Sequence, residues 1–279
     1  MTKRWWGAWL AALAVAAPSW AAPPARVFLF LQTGEPFATQ ETAGPTVATL
    51  TDYLGAKTGG QFQPRVLNDP LKAVDVCVAK KPPLGIVTPG FYLAYAKALG
   101  MEPLLETRRA GVPSERYVLI VKKSAPDGLA ALKGKVIATT LAAEERYIVS
   151  VILQGKLGEE IRLRPTTDVE GEVFNMADNA TNAPDAVLME EAAWKIFEKD
   201  DELGPKLKVA FESDELPRDL VVSFHANADG VDLEKAKAAL KGMNADGVGK
   251  QILDSIRVEA FADIDQARLA KAQGLFYAN

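Results

Sequence analysis

Residues 84–100 read Leu84-Gly-Ile-Val-Thr-Pro-Gly-Phe-Tyr-Leu-Ala-Tyr-Ala-Lys-Ala-Leu-Gly100, and their reading decides the fold. Leu84–Val87 is a short apolar run of the kind that forms a buried strand. Residues 92–99 form a helix that Gly100 closes, with Thr88 as a candidate cap. A strand passing at once into a helix is half of a β-α-β unit. The same alternation runs upstream. Residues 26–32 (RVFLFLQ) are strand-like. Residues 42–57 carry Val47, Leu50, Tyr53 and Leu54 at helical spacing and end at Gly59-Gly60. Residues 62–67 alternate again. Residues 70–80 read as a helix with Pro70 in its first turn and Asn68 or Asp69 as its cap. The order β-α-β-α-β-α implies a mostly parallel sheet covered by helices.

Downstream, residues 104–107 and 117–122 are strands around the turn 111–114, and Ser124-Ala-Pro-Asp-Gly is a loop. Then the alternation restarts. Strands at 135–139, 161–164 and 185–189 are interleaved with helices at 142–154, 169–177 and 191–199. Residues 207–212 and 220–224 are strands flanking Leu216-Pro217. After them the sequence predicts helices only, at 232–241, 247–255 and 263–274. The expectation is an α/β protein of two lobes, each a mostly parallel sheet flanked by helices. Residues 22–108 together with 225–279 make the first, discontinuous lobe. Residues 109–224 make the second with the crossover strands.

The N-terminus predicts export. Lys3 and Arg4 precede an apolar run from Trp5 to Ala17, which Pro18 ends, and Ser19-Trp20-Ala21 offers small residues for cleavage near Ala21. About 13 apolar residues are too few to span the hydrocarbon core as a helix. No cysteine follows the run for lipid attachment. The expected address is the periplasm. The remaining chain of about 258 residues is comfortable for two cores. The single Cys77 excludes an internal disulfide and lies among helix-spaced apolar residues, as a buried thiol would.

The 32 basic and 36 acidic residues give a net charge of −4, which argues against a nucleic-acid partner. The lone His225 falls at the return crossover, where a structural role is expected. No HExxH, CxxC, GxSxG or phosphate-binding glycine loop is present. The acidic clusters at 200–202 and 214–215 lack the spacing of a calcium loop. The reading is of a non-enzyme without cofactor or metal.

The order of elements resembles the periplasmic solute-binding proteins of ABC importers with two crossings between lobes, the type II fold. Leu84-Gly-Ile-Val-Thr-Pro-Gly-Phe-Tyr92, Met101-Glu-Pro-Leu-Leu-Glu-Thr107, Tyr117-Val-Leu-Ile-Val-Lys-Lys-Ser124 and Leu129-Ala-Ala-Leu-Lys-Gly-Lys-Val-Ile-Ala138 carry the resemblance. Phe211-Glu-Ser-Asp-Glu-Leu-Pro-Arg-Asp-Leu-Val-Val222 adds to it. Together they are most similar to the phosphonate, phosphite and phosphate-binding group. The resemblance implies a monomer that takes a phosphonate- or phosphate-like oxyanion between its lobes. It further implies an inner-membrane ABC permease as partner, or a membrane sensor in an orphan variant. The group's Ser/Thr/Gly-rich turn after "Leu-Lys-Gly-Lys" is replaced here by Thr139-Thr-Leu-Ala-Ala-Glu-Glu145. Glu144 and Glu145 there would repel an anion by roughly 1 kcal/mol or more per close charge.

Ligands of open α/β sheets sit outside the C-terminal ends of the strands. In a two-lobed binder that rule selects Gln32, Thr33, Gly34 and Glu35, then Thr88, Pro89, Gly90, Phe91 and Tyr92. From the second lobe it selects Thr139, Thr140, Leu141, Met189 and Glu190. Arg108 and Arg109, where the chain leaves the first lobe, are expected in structural pairing or in solvent. Glu190 facing the cleft would suit an ammonium or hydroxyl group.

Overall fold

A computed structural model describes residues 25–109, 115–157 and 160–278. The export segment and the turn 111–114 lie outside the described residues. Two mixed sheets result. The first holds β1 (Arg26–Leu31), β2 (Phe62–Leu67), β3 (Leu84–Val87) and β4 (Met101–Arg108). The second holds β5 (Tyr117–Lys122), β6 (Val136–Thr139), β7 (Arg162–Pro165), β8 (Ala186–Glu190) and β9 (Leu207–Glu212). The chain then returns to the first sheet as β10 (Leu220–Phe224) and β11 (Ala260–Ala262). The orders are β11-β4-β10-β3-β1-β2 and β7-β6-β8-β5-β9.

In each sheet three consecutive β/α strands are parallel, and the strand that enters from the other lobe inserts antiparallel. β10 runs against β3 and β4, and β5 runs against β8 and β9. Because β10 pairs inside the first sheet, the return crossing falls before residue 220, not at 225. β11 corrects the expectation that no strand follows residue 224. Three residues between charged Glu259 and Asp263 give too short a pattern to read, yet Phe261 is buried and pairs across to Thr107.

Helices α1 (Gly44–Thr58), α2 (Pro70–Lys80) and α3 (Pro89–Leu99) flank the first sheet. Each ends in a left-handed residue, Gly59, Lys81 and Gly100 respectively. Asp69 caps α2 by accepting from the Leu71 and Lys72 amides. Thr88 caps α3, whose Pro89 start lies three residues earlier than the apolar spacing predicts. Residues 142–154 are not the regular helix expected. A 3₁₀ turn (Ala142–Glu144) leads into the one-turn α4 (Glu145–Tyr147) and then a π-helical stretch (Ile148–Ile152). The β-branched Ile148, Val149, Val151 and Ile152 suit a regular α-helix poorly.

The second sheet is further covered by α5 (Val169–Ala177) and α6 (Glu191–Phe197). The tail forms α7 (Leu233–Lys241), α8 (Gly247–Ser255) and α9 (Gln266–Tyr277). The first two pack on α1 in a core with Phe28, Leu50, Leu54 and Val221. Helix α9 instead bridges the lobes. Tyr277 donates to the Leu93 carbonyl at 2.6 Å, while Arg146 of the second lobe donates to the Phe276 carbonyl and stacks 4.5 Å from its ring.

Candidate functional site

Both crossings pass the same cleft. Its volume is about 360 Å³, within the range of small-molecule pockets. Strand ends from both sheets enclose it. The first lobe supplies Gln32–Glu35 after β1, Thr88 and Pro89 after β3, and Arg109 after β4. The second supplies Thr140, Leu141 and Glu144 after β6, Thr167–Glu170 after β7, and Met189 and Glu190 at the end of β8. The lobes touch across it. A Cβ on Gly34, where φ is +88°, would lie 3.0 Å from Leu141 Cδ2 and Thr140 Oγ1. Only a glycine allows both this backbone and this approach.

Of the residues selected from the sequence, Gln32, Thr33, Gly34, Glu35, Thr88, Pro89, Thr140, Leu141, Met189 and Glu190 line the cleft. The other four point elsewhere. Thr139 is wholly buried and its hydroxyl accepts from the Leu141 amide. Gly90 lies against the Glu144 carboxylate, so a side chain there would overlap it. Phe91 stacks on Tyr95 at 5.0 Å, and Tyr92 is buried in the core. Strand-end residues on a helix's first turn are divided between the cleft and the core, and sequence position alone does not separate them.

Sequence reasoning passed over Glu115, Tyr117, Tyr147 and Asp219, all of which line the cleft. Glu115 precedes β5 and Asp219 precedes β10. Both strands run antiparallel to their neighbours, so their N-terminal ends meet the C-terminal ends of the parallel strands at one edge. The two crossings also pair with each other, through Glu115 and Leu216. Arg109 faces the cleft rather than solvent and donates to both oxygens of Glu190, at 3.2 and 3.3 Å. Arg108 is exposed.

The polar network is rich in carboxylates. Gln32 Nε2 donates to Asp219 at 2.7 Å, Tyr117 donates to Glu115 at 2.5 Å, and Thr88 donates to Glu144 at 2.5 Å. Burial pushes Glu144 up to about 7 against the hydrogen bond from Thr88. Burial, with Glu190 and Asp219 nearby, pushes Glu115 up to about 8. Burial raises Asp219 and Glu35 as well, opposed by Arg109. For Arg109, burial opposes the charge, but Glu190, Asp219 and Glu115 more than offset this and hold the guanidinium charged.

Groups outside the cleft have structural partners. His225 is exposed and sits 3.8 Å from Glu102. Cys77 is buried, which lifts its thiol to about 12. Asp200 caps a turn by accepting from the Glu202 and Leu203 amides, and Asp214 pairs with Lys271. Among the described residues no group of three His, Cys, Asp or Glu side chains is arranged to hold a metal ion, and no helix is long and apolar enough to cross a membrane.

Residues 34–269 match the family described as "ABC transporter, phosphonate, periplasmic substrate-binding protein". No curated protein matches the chain. Among solved structures, a Xanthomonas citri protein bound to ATP is similar, with a TM-score of 0.67 at 14% identity, over 91% of this chain and 98% of that one. A binding-protein component of an ABC phosphonate transporter from Pseudomonas aeruginosa gives 0.63 at 16%, over 90% and 86%. A methylphosphonate-bound protein of Prochlorococcus marinus gives 0.59 at 12%, over 89% and 97%. At such identities the likeness shows the fold.

Proposed function

The chain belongs to the family of periplasmic substrate-binding proteins of phosphonate ABC transporters, and from that premise we propose that it captures a small solute in the interlobe cleft for delivery to a membrane permease. The observation that carries this reading is the cleft itself. It is walled by strand ends of two separate sheets, between which the chain crosses twice and helix α9 forms a bridge. Such a joint lets two rigid bodies rotate about a few crossing residues and close on a ligand. The family is one of transport proteins rather than enzymes, which supports a binder without turnover. It is also periplasmic, which supports cleavage of residues 1–21 on export; action as a monomer is part of the same proposal.

A ligand that binds the folded chain alone raises its melting temperature by mass action. The test is therefore thermal unfolding of the mature chain against a broad library of small solutes, covering amines, amino acids, sugars and oxyanions. At least one class is expected to stabilise it by several degrees. A well-folded sample that no class stabilises would count against solute capture.

A further inference from the structure

Resting on the solute-capture reading, we infer that the cleft takes a small organic cation, an amine or quaternary ammonium, rather than a phosphonate or phosphate. The first ground is charge. Glu35, Glu115, Glu144, Glu190 and Asp219 come from five different segments to line one cavity, with Asp168 and Glu170 at a further wall. Arg109 is the basic side chain among the described lining residues, while Arg218 and Arg257 act on Asp219 and Glu35 from outside it. Arg109 is already matched by Glu190, and each remaining acid either carries a charge that opposes an oxyanion at close range or must stay protonated beside it.

The second ground is occupancy of the places an oxyanion would use. The N-terminus of α3 gathers free amides and the positive end of the helix dipole at the cleft wall. Here Glu144 fills it from the opposite lobe, accepting from the Thr88 hydroxyl and the Phe91 amide. Its oxygen also occupies the space over Gly90. The planar fork of Arg109 is likewise engaged by both oxygens of Glu190. What this leaves for an oxyanion is hydroxyls such as those of Thr140 and Thr167, without a free helix N-terminus or an unengaged guanidinium.

The third ground is a buried hydroxyl beside the acids. Thr33 is 6% exposed on the cleft wall, and its hydroxyl oxygen, although near the Glu144 carboxylate, makes no hydrogen bond of ordinary geometry. Buried hydroxyls are seldom left so. With its O–H turned toward the Glu144 carboxylate, its lone pairs are left to accept a ligand N–H. Tyr117 and Tyr147 on the same walls offer aromatic rings, which attract cations.

Raised carboxyl affinities for protons fit the same account. Glu115 faces Arg109, Tyr117, Tyr147, Glu190 and Asp219, while Glu144 faces Thr88, Thr33, Tyr147, Asp219 and the Phe91 amide. A bound cation favours the ionised acids, so its binding expels protons and tightens as pH rises from 6 to 8.

The experiment is calorimetric titration of the mature chain at pH 6 and pH 8 with 1,4-diaminobutane, choline, methylphosphonate and inorganic phosphate. Glucose and glycine serve as neutral and zwitterionic probes. At least one of the two cations is expected to bind, about tenfold or more tighter at pH 8. Asp219→Asn is expected to weaken it about tenfold or more, the loss of one close charge. Glu190→Gln, which also frees Arg109, serves if Asp219→Asn does not fold, and is expected to weaken it similarly. Binding of methylphosphonate, phosphate or a neutral probe in preference to both cations would overturn the cation class and leave solute capture standing. Cation binding unaffected by pH and by both substitutions would overturn the assignment to this cleft. A chain that binds none of the probes overturns the cation class, and solute capture falls as well only if the broad library also fails.

Discussion

Glu144 concentrates the chemistry of the cleft in one side chain. It belongs to the second lobe, yet its hydrogen-bond donors, Thr88 and Phe91, belong to the first. Burial keeps it and Glu115 protonated well above the ordinary carboxylate range, to about 7 and about 8. The unfolded chain ionises both near the ordinary value. Between that value and about pH 8 the unfolded state therefore binds fewer protons than the folded one, and stability falls as pH rises. The ligand-free chain is expected to melt several degrees lower at pH 8.5 than at pH 5, and Glu144→Gln to flatten that slope. A melting temperature that rises over this interval would contradict the burial of these acids. Gly90→Ala is expected to displace the Glu144 carboxylate, and proton titration by NMR should then find Glu144 nearer the ordinary range. The sequence flags Glu144 as a poor neighbour for an anion but not its partner, because Thr88 lies 56 positions away on the other lobe. Glu145, next to it, turns out to be exposed.

The elements follow from local rules that can be tested separately. Asp69 caps α2 through two amides, so Asp69→Ala is expected to cost about 1 kcal/mol in denaturant unfolding. Helix α9 depends on long-range packing instead. Phe276 is 2% exposed in the core cluster shared by both lobes. Phe276→Ala is expected to cost about 3–5 kcal/mol in equilibrium unfolding, and much less would mean that α9 does not hold the lobes together. The β/α alternation was legible because apolar period and capping residues agree at Thr88, Asp69 and Gly100. Strand β11 was not, since its three residues are defined by pairing with β4 and not by their own pattern. The stretch 142–152 shows helical spacing, but spacing does not distinguish an α-helix from a run of 3₁₀, α and π turns. The antiparallel strands β5 and β10 were recognised, but not their direction. That hid Glu115 and Asp219, the acids at their leading ends.

At the scale of the molecule, two sheets meet across a cleft whose acids come from segments far apart in sequence. Strand-end reasoning located the cleft from the parallel strands of both lobes. It does not give the cleft's charge, because that depends on how the crossings fold back between the lobes. The central claim is that this joint closes on a solute. In the structure described here the lobes are in contact through Glu144 and Thr88 and through Gly34 and Thr140. Without ligand, mutual repulsion of the cleft acids opposes that contact at high pH. The most direct measurement is small-angle X-ray scattering of the mature chain at pH 8, alone and with the most stabilising solute of the library. The account predicts a smaller radius of gyration and a shorter maximum dimension with the solute bound. Scattering curves that superimpose with and without saturating solute would contradict it.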